Sequence, residues 1–518
     1  MVSGSNRVQS SEAPLWETGL LRMLLLSLRG GFEPGWKKMH RLRKKPTNTF
    51  RSKRLLSFSL LAIFFVLLFC FSNKYTINSP FFSNSLKPTR IPQCLKRDLA
   101  QSLNGQKFLW YAPHSGFSNQ LSEFKNAVLL SAILNRTLII PPVLDHHAVV
   151  LGSCPKFRVS EPKELRFAVW NHAIQLIQSR RYVSMADIID LSSLVSDSAI
   201  KVIDFRNFIS QFCDIDFNYL CVKDSRTEDS FLEKLRQCGS LLSGYNTDLN
   251  DCVYGVEEDC RTTVWTYQRD NKNGSLDPFQ PDEQLKKKKN ISFIRKRKDV
   301  YDALGPHSRA ELSPILSFGT LFTSPYKGSE SYIDIHEAPN DKKIQSLIKG
   351  IEFLPFVPEI LNAGKTYAQH TVKSPFLCAQ LRLLDGQFKN HWRGTFQGLK
   401  QRVDSLREKE RLPVHIFVMT DLPMSNWSGT YLGDLANERD SVKLFVLSEE
   451  DELIRRTAMK VVKNGDFFKK ECDMRAPDVL LHVEESVCSC ASLGFFGTGG
   501  STIADTIEMM RKKQICSM

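Results

Sequence analysis

The sequence has no Walker A loop, no GxGxxG fingerprint and no recognisable nucleic-acid-binding motif. P-loop phosphoryl chemistry, ordinary dinucleotide binding and DNA or RNA recognition therefore lack their usual signatures. Cys488-Ser-Cys490 has no further Cys or His at zinc-ligand spacing, which removes a structural zinc site. The acidic stretches Asp248 to Asp259 and Asp270 to Asp277 lack the central glycine and closing glutamate of a calcium loop. No internal repeat is visible. Composition also excludes wholesale disorder, with 42% hydrophobic, 24% charged and 10% aromatic residues in a 518-residue chain. That length accommodates two ordinary domains with appendages.

Charge is absent from one further place. Leu55 to Ser72 holds no ionisable side chain except Cys70, over a length that rises about 27 Å as a helix, just enough for a bilayer core. Lys37, Lys38, Arg41, Arg43, Lys44, Lys45, Arg51, Lys53 and Arg54 precede it, while only Lys74 follows closely. The positive-inside rule puts the N-terminus in the cytosol and the rest of the chain in the lumen. A cleaved signal with a long basic leader is the alternative, although a signal core is shorter and lies nearer the start. The apolar patch Leu20 to Leu28 is interrupted by Arg22 and is too short to span. The net charge of +14 draws heavily on this N-terminal cluster and on the run Lys286 to Lys298, read as a solvated loop.

Of thirteen cysteines, twelve lie beyond the apolar segment, an even number that fits an oxidising compartment and up to six disulfides of unassigned connectivity. Cys213, Cys221, Cys238, Cys252 and Cys260 crowd one stretch. Four glycosylation sequons start at Asn135, Asn273, Asn290 and Asn426, all on the expected luminal side.

The rest of the chain alternates strands and helices. Lys107 to Tyr111 reads as a buried strand, Ala112 to Gln120 as a Gly/Ser/Asn loop, Leu121 to Leu134 as a helix and Thr137 to Ile140 as a second strand stopped by Pro141-Pro142. This is a βαβ unit, which implies a parallel sheet. Residues 150 to 340 offer only weak helices, Glu164 to Ser179 and Ser230 to Leu242. A second α/β texture follows. It has strands at Pro375 to Arg382, Val414 to Thr420, Leu444 to Leu447 and Leu493 to Phe496, and helices at Pro358 to Gln369, Gly394 to Lys409, Asp478 to Cys488 and Ile503 to Lys513.

Several residues stand where such sheets bind ligands. Gly497-Thr-Gly-Gly-Ser-Thr502 joins a strand to a helix, a geometry that aims backbone amides at an anion; a tight turn alone is the plainer reading. Arg382 ends an apolar strand and can neutralise a diphosphate, or can pair with Asp385. Gly116-Phe-Ser-Asn-Gln120 occupies the equivalent edge of the first unit, where Asn119 and Gln120 can hold substrate hydroxyls or cap the next helix. His114, Asp145, His146, His147 and Glu123 are all candidate general bases; spacing does not choose among them. Asp214-Ile-Asp216 spells a metal-binding DxD inside the cysteine-rich stretch, where a chance triplet is the simpler explanation.

Three segments in order resemble the protein O-fucosyltransferases and their plant relatives. Gly116 to Gln120, with Ala127 to Pro142, resembles the first signature. Gln380-Leu-Arg382 resembles the His-x-Arg motif, with Gln in place of His, and Ala491 to Thr502 resembles the phosphate-binding segment. The resemblance implies a GT-B fold of two Rossmann-like domains, an inverting mechanism, GDP-fucose as donor and no obligatory metal cofactor. It makes Arg382 and Asn119 the catalytic candidates, with Gly116, Phe117, Gln120, Gln380, Asp385, Gly497, Gly499, Gly500, Ser501 and Thr502 binding substrate. Ser492 stands near where animal relatives carry an acid.

The expected layout is a cytosolic tail 1–54, a transmembrane helix 55–72, a stem 73–97, an acceptor-side domain 98–350 and a nucleotide-sugar domain 351–518. Its partners are a nucleotide sugar, a glycoprotein or glycan acceptor and the Golgi or ER membrane, with no nucleic acid. A rhamnosyl- or other deoxysugar transferase on cell-wall polysaccharide, or a non-catalytic luminal glycan-binding protein, are the alternatives. The diphosphate reading makes one firm demand: Arg382 and the 497–502 turn must share a crevice.

Overall fold

The computed structural model describes residues 106–113, 116–144, 161–196, 200–213, 215, 225–243, 253–258, 263–267, 278–279, 295–321, 333–334, 341–384, 388–410, 412–464 and 477–516. The tail, apolar segment and stem, including the patch at Leu20 to Leu28, lie outside these residues. Among the described residues no helix is long and apolar enough to cross a membrane.

Two parallel sheets organise the chain. The first is built from β1 (Phe108–Tyr111), β2 (Thr137–Ile140), β3 (Lys201–Asp204), β4 (Val253–Val256) and β8 (Ile315–Phe318), in the order β3-β2-β1-β8-β4. Strands β1, β2 and β8 are buried at every position, as a sheet covered on both faces requires. Helix α1 (Phe117–Ile133) joins β1 to β2, and α2 (Pro162–Gln178) follows with proline at its first position, where no amide partner is lost. Packed against α2 is α3 (Ser225–Leu242), whose Cys238 is bonded to Cys213.

The second sheet takes β10 (Phe376–Leu381), β11 (Val414–Thr420), β12 (Val442–Phe445) and β13 (Gly494–Gly497), in the order β12-β11-β10-β13, again all parallel. Side chains alternate between its faces. Leu377, Ala379, Leu381, Ile416 and Val418 join one core, whereas Phe376, Cys378, Phe417 and Met419 join the larger core shared with the first sheet. Around this sheet pack α4 (Pro358–Tyr367), α5 (Trp392–Arg407), α6 (Leu480–Ser489) and α7 (Thr502–Lys512). A small mixed sheet, β6 (Pro278–Phe279), β7 (Arg295–Asp299), β5 (Thr263–Thr266) and β9 (Ile333–Asp334), completes the fold.

Two expectations shift. The first helix begins at Phe117, four residues before the periodic apolar pattern, because extended Gly116 accepts the amides of Asn119 and Gln120 and starts the helix there. The basic run does not end as a loop: Arg295–Asp299 pairs with β5 as a strand. Lys286 to Asn290 lies outside the described residues.

Candidate functional site

Strand β10 pairs along its length with β11 and β13 and places Gln380 opposite Gly497. Arg382 is therefore the first residue beyond the ladder, at the carboxyl edge, directly beside the glycine turn. Three consecutive amides there are taken by side chains. Thr498 Oγ1 accepts from Arg382 N at 2.9 Å, and the Asp421 carboxylate, at the end of β11, accepts from Leu383 N at 2.7 Å and Leu384 N at 3.0 Å. The Thr498 hydroxyl in turn donates to the Gln380 carbonyl at 3.2 Å. The half-buried Arg382 guanidinium lies 4.9 Å from the centroid of the Phe388 ring. Arg382 and the 497–502 turn are therefore neighbours along the backbone.

Gln380 fills the position of the expected His and is 3% exposed. Its amide oxygen lies 3.3 Å from Thr498 N, which also donates to the Gln380 carbonyl at 3.0 Å. It holds the turn.

The turn has the backbone freedom an anion site needs. A Cβ on Gly497 would come within 2.7 Å of Ala504 Cβ, so only glycine allows β13 to enter α7 this closely. Gly500 has φ +78°, and the space beside both Gly499 and Gly500 is open. Ser501 caps α7 by position, but its side chain makes no capping bond. Its hydroxyl is fully buried without a hydrogen-bond partner, and such an orphan calls for a ligand or another specific explanation. Thr502 opens the helix, half-buried. The helix start thus keeps amides that no side-chain cap satisfies, at its positive end.

The first signature reaches the same region. Phe117 opens α1, is 7% exposed and sets its ring edge-on to His482 in the first turn of α6, with centroids 4.2 Å apart. Helices α6 and α7 flank β13 and run side by side. Arg511 near the end of α7 donates to the Ala491 carbonyl at 2.5 Å and the Cys488 carbonyl at 3.3 Å, so both helices begin at the carboxyl edge. Asn119 lies half-buried in the first turn of α1. Gln120 is fully buried and its amide grips the Leu144 backbone, donating at 2.8 Å and accepting at 2.9 Å. Glu123 is enclosed, its carboxylate accepting from the Thr320 hydroxyl at 2.8 Å; burial and then this charge push the Tyr111 phenol up.

His114, Asp145, His146, His147, Asp214, Asp216, Asp385, Asn273 and Asn290 lie outside the described residues. Asn135 and Asn426 are exposed, at a turn and a short 3-10 segment. Among the described residues no group of three His, Cys, Asp or Glu side chains is placed to hold a metal ion. The Cys488-Ser-Cys490 pair is split between two disulfides, Cys378–Cys488 and Cys490–Cys516. Thr498 and Asp421 escaped the sequence reading; their hydroxyl and carboxylate stand next to motif residues, but only the strand register shows which amides they meet.

No family model matches the chain. It is 55% identical over 483 residues to O-fucosyltransferase 30 of Arabidopsis thaliana, covering 89% of this chain and 94% of that relative. With that relative, the parallel-sheet α/β fold and the glycine turn beside an arginine are those of a glycosyltransferase. The chain belongs to the O-fucosyltransferase family. Solved structures similar to it include POFUT1 in complex with GDP-fucose, at 12% identity, 78% of this chain, 93% of that chain and a TM-score of 0.35. Another is the fucosyltransferase NodZ from Bradyrhizobium, at 10% identity, 78% of this chain, 93% of that chain and a TM-score of 0.32.

Proposed function

We propose that the chain transfers fucose from GDP-fucose to a hydroxyl of a glycoprotein or glycan, with inversion at the anomeric carbon, on a GT-B arrangement of two Rossmann-like domains. The observation that carries this reading is the side-by-side placement of Arg382 and the Gly497–Thr502 turn, with the buried Ser501 hydroxyl between strand and helix. Family membership agrees with fucose as the transferred sugar. In this mechanism Arg382, the helix-start amides and Ser501 with Thr502 take up the charge that develops on the departing diphosphate. Donors fixed in advance act most strongly where charge appears in the transition state, so the leaving group needs no obligatory metal. The acceptor oxygen attacks the anomeric carbon from the opposite side, oriented by Asn119, as the bond to phosphate breaks and the hydroxyl proton is released to solvent.

The uncharged run at 55–72, its basic leader and the disulfides support a single-pass type II protein of the Golgi or ER membrane with its catalytic part in the lumen. The test is a nucleotide-sugar screen of wild type and Arg382→Ala with GDP, GDP-fucose and UDP-rhamnose. GDP and GDP-fucose should bind wild type, and the folded variant should lose transfer. Preference for UDP-rhamnose, or wild-type turnover in the variant, would overturn the proposal.

A further inference from the structure

Arg382 is held at its backbone and at its tip by different elements. At the backbone, Arg382 N donates to Thr498 Oγ1, the next two amides donate to the exposed Asp421 carboxylate, and Leu383 is fully buried. Those contacts fix the Cα position. They do not fix the side chain, whose several rotatable bonds leave the charge free to sweep the strand end. At the tip, the cation lies over the Phe388 ring, 4.9 Å from its centroid, inside the range of a cation–π contact.

Phe388 has support of its own. It is half-buried and opens the 3-10 segment Phe388–Asn390, where His391 N donates to the Phe388 carbonyl at 2.9 Å. Helix α5 follows directly and is anchored to the second sheet along its length. Leu399 and Val403 are fully buried in that core, a Cβ on Gly398 would come within 3.0 Å of the Phe496 ring, and Arg402 donates to the Leu493 carbonyl at 2.8 Å. Leu493 immediately precedes β13, so the later part of α5 lies at the amino edge of the sheet. Its start, with Phe388, lies at the carboxyl edge beside Arg382. The place of the ring is thus set through α5, not through the bonds at the strand end.

We propose that Phe388 is a positioning residue: its ring holds the Arg382 guanidinium where the diphosphate of the donor arrives. An aromatic face attracts a cation through its quadrupole and competes little for the N–H groups that phosphate oxygens need. A carboxylate in the same place would take two donors of the planar fork and would compete with the incoming anion. The ring therefore orients the charge and leaves the fork available to the phosphates. This role rests on the reading of Arg382 as a ligand of the diphosphate, and adds to it a residue outside the three motif segments.

The full-length protein and its Phe388→Leu, Phe388→Tyr, Arg382→Ala and combined Phe388→Leu, Arg382→Ala forms are titrated with GDP by calorimetry. Phe388→Leu should weaken GDP binding about three- to tenfold. Phe388→Tyr, which keeps the aromatic face, should stay within about twofold of wild type. In the Arg382→Ala background Phe388→Leu should change nothing, a result that a general loosening of the segment would not give. Should Phe388→Leu melt below the titration temperature, Phe388→Met takes its place with the same expectation. A loss in Phe388→Tyr equal to that in Phe388→Leu, or an undiminished loss in the Arg382→Ala background, would overturn the role. GDP binding that needs Arg382 but ignores Phe388→Leu would also overturn it, and would leave the donor reading standing. Wild type that fails to bind GDP, or Arg382→Ala that binds it as well as wild type does, refutes the donor reading and the role together.

Discussion

At the scale of single residues, the buried Ser501 hydroxyl separates binding from stability. With no protein partner to lose, Ser501→Ala should unfold at the same temperature as wild type or slightly higher. Its GDP affinity should nonetheless fall roughly ten- to hundredfold, as expected for a hydrogen bond to a charged group worth about 1.5–3 kcal/mol. Calorimetric titration with GDP checks this; a normal affinity would mean the hydroxyl faces something else. Glu485 makes a different prediction. It is fully buried, neither carboxylate oxygen has a hydrogen-bond partner, and His482 Nδ1 stays 3.9 Å away, too far to bond; burial therefore dominates and raises its pKa. Between the ordinary glutamate value and this raised one the folded state holds more protons than the unfolded state, so stability falls as pH rises through that window and is flat above it. Glu485→Gln should melt higher than wild type at neutral pH, with the difference shrinking toward about pH 4, where glutamate is protonated in both states. A difference independent of pH would contradict this. At this scale the placement of Arg382, Ser501 and Thr502 at one sheet edge was legible from residue type and order. Gln120 and Glu123 were not: an amide or carboxylate has the same letter whether it faces substrate or, as here, is spent on Leu144 and Thr320.

At the scale of elements, the end of β10 sets the geometry. Asp421→Ala would release the Leu383 and Leu384 amides and let Arg382 wander, so turnover should drop about tenfold or more, together with a stability loss of about 1–3 kcal/mol from the two lost bonds. Unchanged turnover would show that Thr498 alone fixes the arginine. The Cys378–Cys488 disulfide joins β10 to α6 across 110 residues. Replacing both cysteines by serine should cost about 2–5 kcal/mol, read from denaturant unfolding. Where strands were long and apolar, as at Val414–Thr420, the sequence pattern and the structure coincide. Among strands of four residues the outcome divides: Thr137–Ile140 was read as it stands, but others went unread. Ile315–Phe318, the central partner of β1, has no flanking period to mark it, and Lys201–Asp204 carries charge at both ends.

At the scale of the whole molecule, the stretch at 150–340, where the sequence marked only two weak helices, also supplies β3, β4 and β8 of the first sheet. β3 pairs with β2, β8 with β1 and β4 with β8, all long-range contacts of which local periodicity carries no trace. What the sequence did reveal was that the glycine turn at 497–502 and Arg382 stand at neighbouring strand ends, since β10 and β13 pair in parallel. The central claim is that Arg382 and the Ser501 turn grip one diphosphate. A double-mutant cycle of GDP binding tests it most directly, using wild type, Arg382→Ala, Ser501→Ala and the double variant. Groups holding the same phosphates are expected to couple, so the double loss should depart from the sum of the single losses by more than about 0.5 kcal/mol. GDP affinity untouched by Arg382→Ala, or single losses that simply add, would contradict the account.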